Sequence, residues 1–184
     1  MKNFIKIFLL LIICITQTAY TDLRTITIEK NYTENSVLIE DFLRQNAKHL
    51  DIMEFTRVPR GLIVSIDEKY LFNEGSTKIK YSGLPVLNDI LLALKQTESR
   101  CVIEGHTEQN NFDGKPYETE WELSLLRAEN ITKYFIKYGQ ISPKRLFSLG
   151  FGEYMPSVDN VDEKMHINSR IDFVFLDYAK NTRQ

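Results

Sequence analysis

Short β-branched runs alternate along this chain with stretches whose apolar residues recur at helical spacing. That alternation limits the fold to a sheet layered with helices. Leu62 to Asp67 is apolar and β-branched and reads as a strand. Leu87, Ile90, Leu91 and Leu94 then fall at i, i+3, i+4 and i+7, which gives one core-facing helix stripe. Ser82 is the expected cap of that helix, and Pro85 suits its first turn. Cys101 to Gly105 reads as the next strand.

The following helix has the sharpest start signal. Thr119-Glu-Trp-Glu122 is a capping box, in which hydroxyl and carboxylate satisfy each other's backbone donors. Glu120 and Glu122 also complement the positive end of the helix dipole. Leu125, Ala128, Ile131 and Phe135 form its expected buried stripe, and Gly139 ends it. Leu146 to Leu149 reads as a short strand and Ile171 to Leu176 as a final one. The order βαβαβ, then a loop and β, predicts an α+β fold with helices on one face of a mixed sheet.

Upstream of Leu62 the chain reads differently. Met1-Lys-Asn-Phe-Ile-Lys is a basic start, and Ile7 to Ile15 is an unbroken apolar run too short to span a bilayer as a helix. Residues 1–19 therefore read as a secretory signal peptide, cleaved after Ala19. Lipidation at Cys14 is the rival, with bulky Ile13 standing where a small residue is wanted. Residues 20–60 read as an N-terminal extension with one helix, capped by Ser36 and striped by Ile39, Phe42, Leu43, Ala47 and Leu50. Pro59-Arg60-Gly61 separates it from the domain at 61–178, which a tail at 179–184 follows. If Cys14 leaves with the signal, Cys101 is the sole thiol and reads as a small buried hydrophobe. With 43% hydrophobic residues the chain can bury a core, and a net charge of −2 argues against nucleic acid as a partner.

Four segments occur in a telling order: Ile-Glu-Gly-His-Thr-Glu at 103–108, Trp-Glu-Leu-Ser-x-x-Arg-Ala at 121–128, Leu-Gly-Phe-Gly-Glu at 149–153 and Asn-Ser-Arg-Ile-Asp-Phe-Val-Phe at 168–175. Together they resemble the OmpA-like peptidoglycan-binding domain, known from OmpA, Pal lipoproteins and MotB. The resemblance spans residues 62–176. It implies an OmpA-like βαβαβ-type sandwich and a binding module that grips the peptide stem of the cell wall without bond chemistry. The implied setting is the periplasm, in association with the wall or the outer membrane. The Trp-Glu-Leu-Ser-x-x-Arg-Ala form is closest to MotB-like members. The apolar run at 7–15 lacks the membrane-spanning length and the Asp of a stator protein.

By that resemblance Arg127 holds a carboxylate of the diamino acid in the wall peptide, a task suited to a planar, always charged fork. The competing reading of Arg127 is a structural ion pair with Glu104 or Glu108. Glu108 stands where the family usually has Asp, whose carboxylate meets the ligand's ammonium; the bland reading is a solvated loop carboxylate. Thr107, Leu123 and Ser124 match pocket-wall positions, and Asn168 and Arg170 match an Asn-x-Arg that lines or braces the pocket. Ser169 replaces the first Arg of a pair common in relatives, so one basic group is missing from the rim.

Other chemistry is poorly supported. His106-x-Glu108 has the local form of a zinc deaminase but lacks the P-C-x-x-C partner. His49, His106, His166 and Cys101 show no ligand spacing, so neither metal nor cofactor is expected. No nucleophile elbow or catalytic carboxylate motif appears, so the chain does not read as an enzyme or a wall hydrolase. Trp121, Tyr134 and Tyr138 are candidates for sugar stacking, with rim packing as the alternative. The rival function is an OmpA-like structural or interaction protein of the envelope that has lost the ligand and binds an envelope partner through residues 20–60.

Overall fold

The computed structural model describes residues 35–108, 117–154 and 169–177. The elements are α1 (35–46), β1 (Met53–Val58), β2 (Gly61–Asp67), a one-turn α2 (Glu68–Leu71), α3 (Leu84–Lys95), β3 (Arg100–His106), α4 (Glu120–Lys137), β4 (Leu146–Gly152) and β5 (Arg170–Leu176). The five strands form one mixed sheet in the order β1-β2-β5-β3-β4. Every neighbouring pair is antiparallel except β3 and β4. A parallel pair needs a crossover, and α4 supplies it.

Strand alternation decides which residues meet the helices. Leu62, Val64 and Ile66 of β2, Cys101 and Ile103 of β3, and Phe173 and Phe175 of β5 join one core with Leu87, Ile90, Leu91 and Leu94 of α3 and Ala128, Ile131 and Phe135 of α4. Phe135 stacks on Phe173 with ring centroids 6.0 Å apart. Each such fully buried side chain contributes about 1.5–3 kcal/mol of apolar burial. Val102, Val174 and Leu176 point the other way and form a second, smaller cluster with Ile63. β5 is thus buried along its whole length, which explains the continuous apolar run from Phe173 to Leu176. Cys101 lies in the larger core as a free, buried thiol whose pKa burial pushes up.

The upstream segment is more than a helix on a tether. β1 pairs with β2 through Pro59 and Arg60 as a hairpin, although the sequence places no strand before Leu62. Gly61 sits at φ +142°, and a Cβ there would meet the Phe175 carbonyl oxygen at 1.9 Å. Ile39 and Leu43 of α1 are fully buried in the main core.

Two expected caps differ. α1 begins before Ser36, so Ser36 is not its cap. Instead Asp177, beyond β5, accepts from the Ser36 N–H at 3.1 Å and from its hydroxyl. A carboxylate at a helix N-terminus also suits the dipole. Ser82 does not cap α3; it lies in a 3-10 turn at Tyr81–Gly83, and Gly83 holds the cap position without a side-chain bond.

Candidate functional site

The site is assembled where β2 and β3 end side by side. Both strands run antiparallel to β5, so Asp67 and His106 each stand opposite Arg170. The residues that follow, Glu68 and Thr107, therefore converge. α4 is laid against this edge by its start and by a glycine. Thr119 Oγ1 accepts from the Glu122 N–H at 3.1 Å, and the Glu122 carboxylate accepts from the Glu118 N–H at 2.7 Å, one residue ahead of the box partner expected. A Cβ on Gly105 would stand 2.2 Å from the Ser124 carbonyl oxygen, so this position must lack a side chain for α4 to approach.

That approach delivers Arg127, whose side chain is 0% exposed, to the convergence point. Its Nε donates to the Ser76 carbonyl at 2.9 Å and its Nη1 to Thr107 Oγ1 at 3.1 Å. Nη1 also forms an ion pair with Glu68, and Nη2 reaches the Asn73 carbonyl at 3.4 Å. The guanidinium carbon lies 5.2 Å from the Phe72 ring centroid, a cation–π distance. The ion-pair partner is therefore neither Glu104 nor Glu108. Arg60 grips Glu104 through two bonds of 3.0 and 3.1 Å instead.

Glu68 is the residue that sequence reasoning missed. Its N–H is held by the Ser169 carbonyl at 3.1 Å, and its carboxylate accepts from Thr107 Oγ1 at 3.2 Å. Burial raises its pKa above the usual carboxylate range, against the lowering effects of Arg127 and Thr107. Burial likewise lowers that of Arg127, which Glu68 opposes. The available signal was an Asp-Glu pair directly after an apolar strand.

The loop between α2 and α3 is bound at further points to α4 and to the residues just before it. Tyr117 donates to the Gly75 carbonyl, and Asn130 Nδ2 donates to the Thr77 carbonyl at 2.8 Å. Ser124 is fully buried; its hydroxyl accepts from the Gly152 N–H at 3.0 Å and donates to the Trp121 carbonyl at 2.8 Å. It joins α4 to the end of β4, and Leu123 beside it is also buried. Glu108 is exposed, with its N–H on Ser169 Oγ at 3.0 Å, so Ser169 braces the chain just after β3. Arg170 is buried and turned to Asp172, its Nε 3.1 and 3.0 Å from the two carboxylate oxygens. Asn168 lies outside the described residues.

His106 is a buried strand-end residue stacked on Phe151, ring centroids 5.1 Å apart. Its Nε2 lies 3.2 Å from Asp172 Oδ2, a close contact without hydrogen-bond alignment. Burial alone would raise the Asp172 pKa; His106 and the charge of Arg170 outweigh it and hold the carboxyl low. Glu104, His106 and Asp172 bring ligand-type atoms within 4.8 Å of one another, a grouping the scattered His and Cys pattern did not suggest. Both carboxylates are already held by arginines, Glu104 by Arg60 and Asp172 by Arg170.

The aromatic trio does not form one surface. Trp121 and Tyr138 are exposed at opposite ends of α4, about 25 Å apart at 1.5 Å per residue. Tyr134 packs at a tilt against Tyr138, with centroids 5.2 Å apart, and donates to Asn88 Oδ1 at 2.9 Å.

The profile of the OmpA family matches residues 71–170, and the chain belongs to that family. It is 30% identical over 123 residues to the uncharacterized protein YtxE of Bacillus subtilis (strain 168), covering 66% of this chain and 51% of that one. The chain spans about half the length of the curated relatives it matches. A MotB-like protein from Desulfovibrio vulgaris shares the fold at TM-score 0.71 and 20% identity, covering 84% of this chain and 98% of that one. The cell wall anchor of the T6SS from Pseudomonas aeruginosa superimposes at TM-score 0.63 and 21% identity, over 75% of this chain and 96% of that one.

Proposed function

We propose that this chain is a non-covalent peptidoglycan-binding protein of the cell envelope, in which Arg127 receives a carboxylate of the diamino acid in the wall peptide. The observation that carries the reading is the guanidinium of Arg127 fixed where β2, β3 and the loop after α2 meet. A fork held by two backbone carbonyls is preset for bidentate carboxylate binding. Thr107 and Glu108 stand at the same strand end, Ser124 ties α4 to the end of β4, and the family resemblance assigns Leu123 and Arg170 to the same pocket. Family membership and the fold shared with a cell wall anchor support the same assignment. The role proposed is that of a binding module, not an enzyme, located in the periplasm in association with the cell wall or the outer membrane. No described helix is long and apolar enough to cross a membrane.

One observation favours the rival, a structural protein that has lost the ligand: the chain's own groups already engage Arg127. Cosedimentation with purified sacculi separates the two. The protein is expected to sediment with sacculi and folded Arg127→Lys to lose most of that binding, since Lys keeps the charge without the fork. Wild-type protein left wholly in the supernatant would establish the rival.

A further inference from the structure

We infer that Glu68 is the internal counter-ion of the binding fork, and that it selects ligands carrying an ammonium group next to the carboxylate. The inference rests on the carboxylate-binding role proposed for Arg127 and adds to it a residue on another element. Arg127 is fully buried, while Glu68 is 16% exposed, so Glu68 lies on the solvent side of the pair. Nη1 is committed to Glu68 and Thr107, and Nε to Ser76. An incoming carboxylate has to take the place that Glu68 holds.

That exchange has a chemical condition. Moving Glu68 off Arg127 leaves a partly buried carboxylate without its cation, which is costly. A plain carboxylate ligand offers nothing in return. A ligand with an adjacent ammonium does: its carboxylate takes Arg127 and its ammonium takes Glu68, so one ion pair becomes two. Burial already raises the Glu68 pKa in spite of Arg127, which marks a carboxylate that gains from a second cation. α2 is one turn long, and its N-terminal side is fixed by Asp67 accepting from the Lys69 N–H at 2.9 Å. A change of Glu68 rotamer therefore suffices, with the backbone kept.

Titration calorimetry with two probes tests this: a diaminopimelate-containing muropeptide with its free amine, and the same muropeptide N-acetylated at that amine. Wild type is expected to favour the free amine by tenfold or more, on the order of one charge-assisted bond. Glu68→Gln and Glu68→Ala are both expected to lose that preference, and Glu68→Gln to bind the acetylated probe more tightly than wild type. Circular dichroism verifies that both variants fold. A ligand-free measurement stands beside it: phenylglyoxal labelling of Arg127, read by peptide mass, is expected to be slow in wild type and at least tenfold faster in Glu68→Ala. Wild-type binding to sacculi with an unchanged amine preference in Glu68→Gln, or equal labelling of Arg127, overturns the inference and leaves the proposed function standing. Failure of wild type to bind sacculi overturns the proposed function itself, and the ligand role of Glu68 with it.

Discussion

Arg127 and Glu68 are each costly to bury alone, and their pairing is what permits a charged fork inside the fold. Arg127→Ala is accordingly expected to destabilise the protein by about 3 kcal/mol at neutral pH, beyond any effect on binding. Urea unfolding of the two proteins measures it. Asp172 predicts a pH response. Its folded pKa is depressed, so its stabilising effect is present above the unfolded value of about 3.9 and is lost as pH falls through the folded value. The urea midpoint is expected to drop as pH falls below about 4, and to drop less in Asp172→Asn. Arg127 and Thr107 were legible as site residues because they stand in ordered motifs. Glu68 was not, since its role depends on two strands ending together 39 residues apart in sequence. Periodicity within one element carries no record of that meeting.

At the scale of elements, close approach decides the site. Gly105→Ala would press a methyl into the backbone of α4, which has to shift and carry Arg127 away from Thr107. The expected loss is about 1–3 kcal/mol of stability together with weakened sacculus binding; thermal melts and cosedimentation on the same samples check it. α1 depends on a partner from the far end of the chain. Asp177→Ala is expected to cost about 1 kcal/mol, as loss of a helix cap does, and a urea titration reads it. α3, α4 and the strands from β2 onward were legible because their apolar periods are clean. β1 was not: Met53–Val58 carries charged and polar residues, and only pairing with β2 makes it a strand. Leu125 was expected in the buried stripe of α4 but is half-buried, while Arg127 takes a place in the buried row. A charged residue at a core position breaks the rule that apolar spacing relies on.

For the whole molecule, the core ignores the division between extension and domain that composition suggests. Ile39 and Leu43 belong to the same core as Phe173. Removing residues 1–60 would also strip β1 from the sheet edge. Such a truncation is expected to give an unfolded or aggregated product, since emptying even one buried Leu or Ile position costs about 2–5 kcal/mol. Circular dichroism and gel filtration of the truncated chain test this.

The strand that enters the sheet last in sequence sits in its middle, between β2 and β3. A chain that ends between Gly152 and Arg170 holds two half-sheets with no strand between them. Both inner strands then present open ladders, the kind of edge that recruits neighbouring chains. Assembly of this protein therefore waits for its final segment, and a stop codon before Arg170 produces an aggregation-prone fragment in place of a slightly shortened protein.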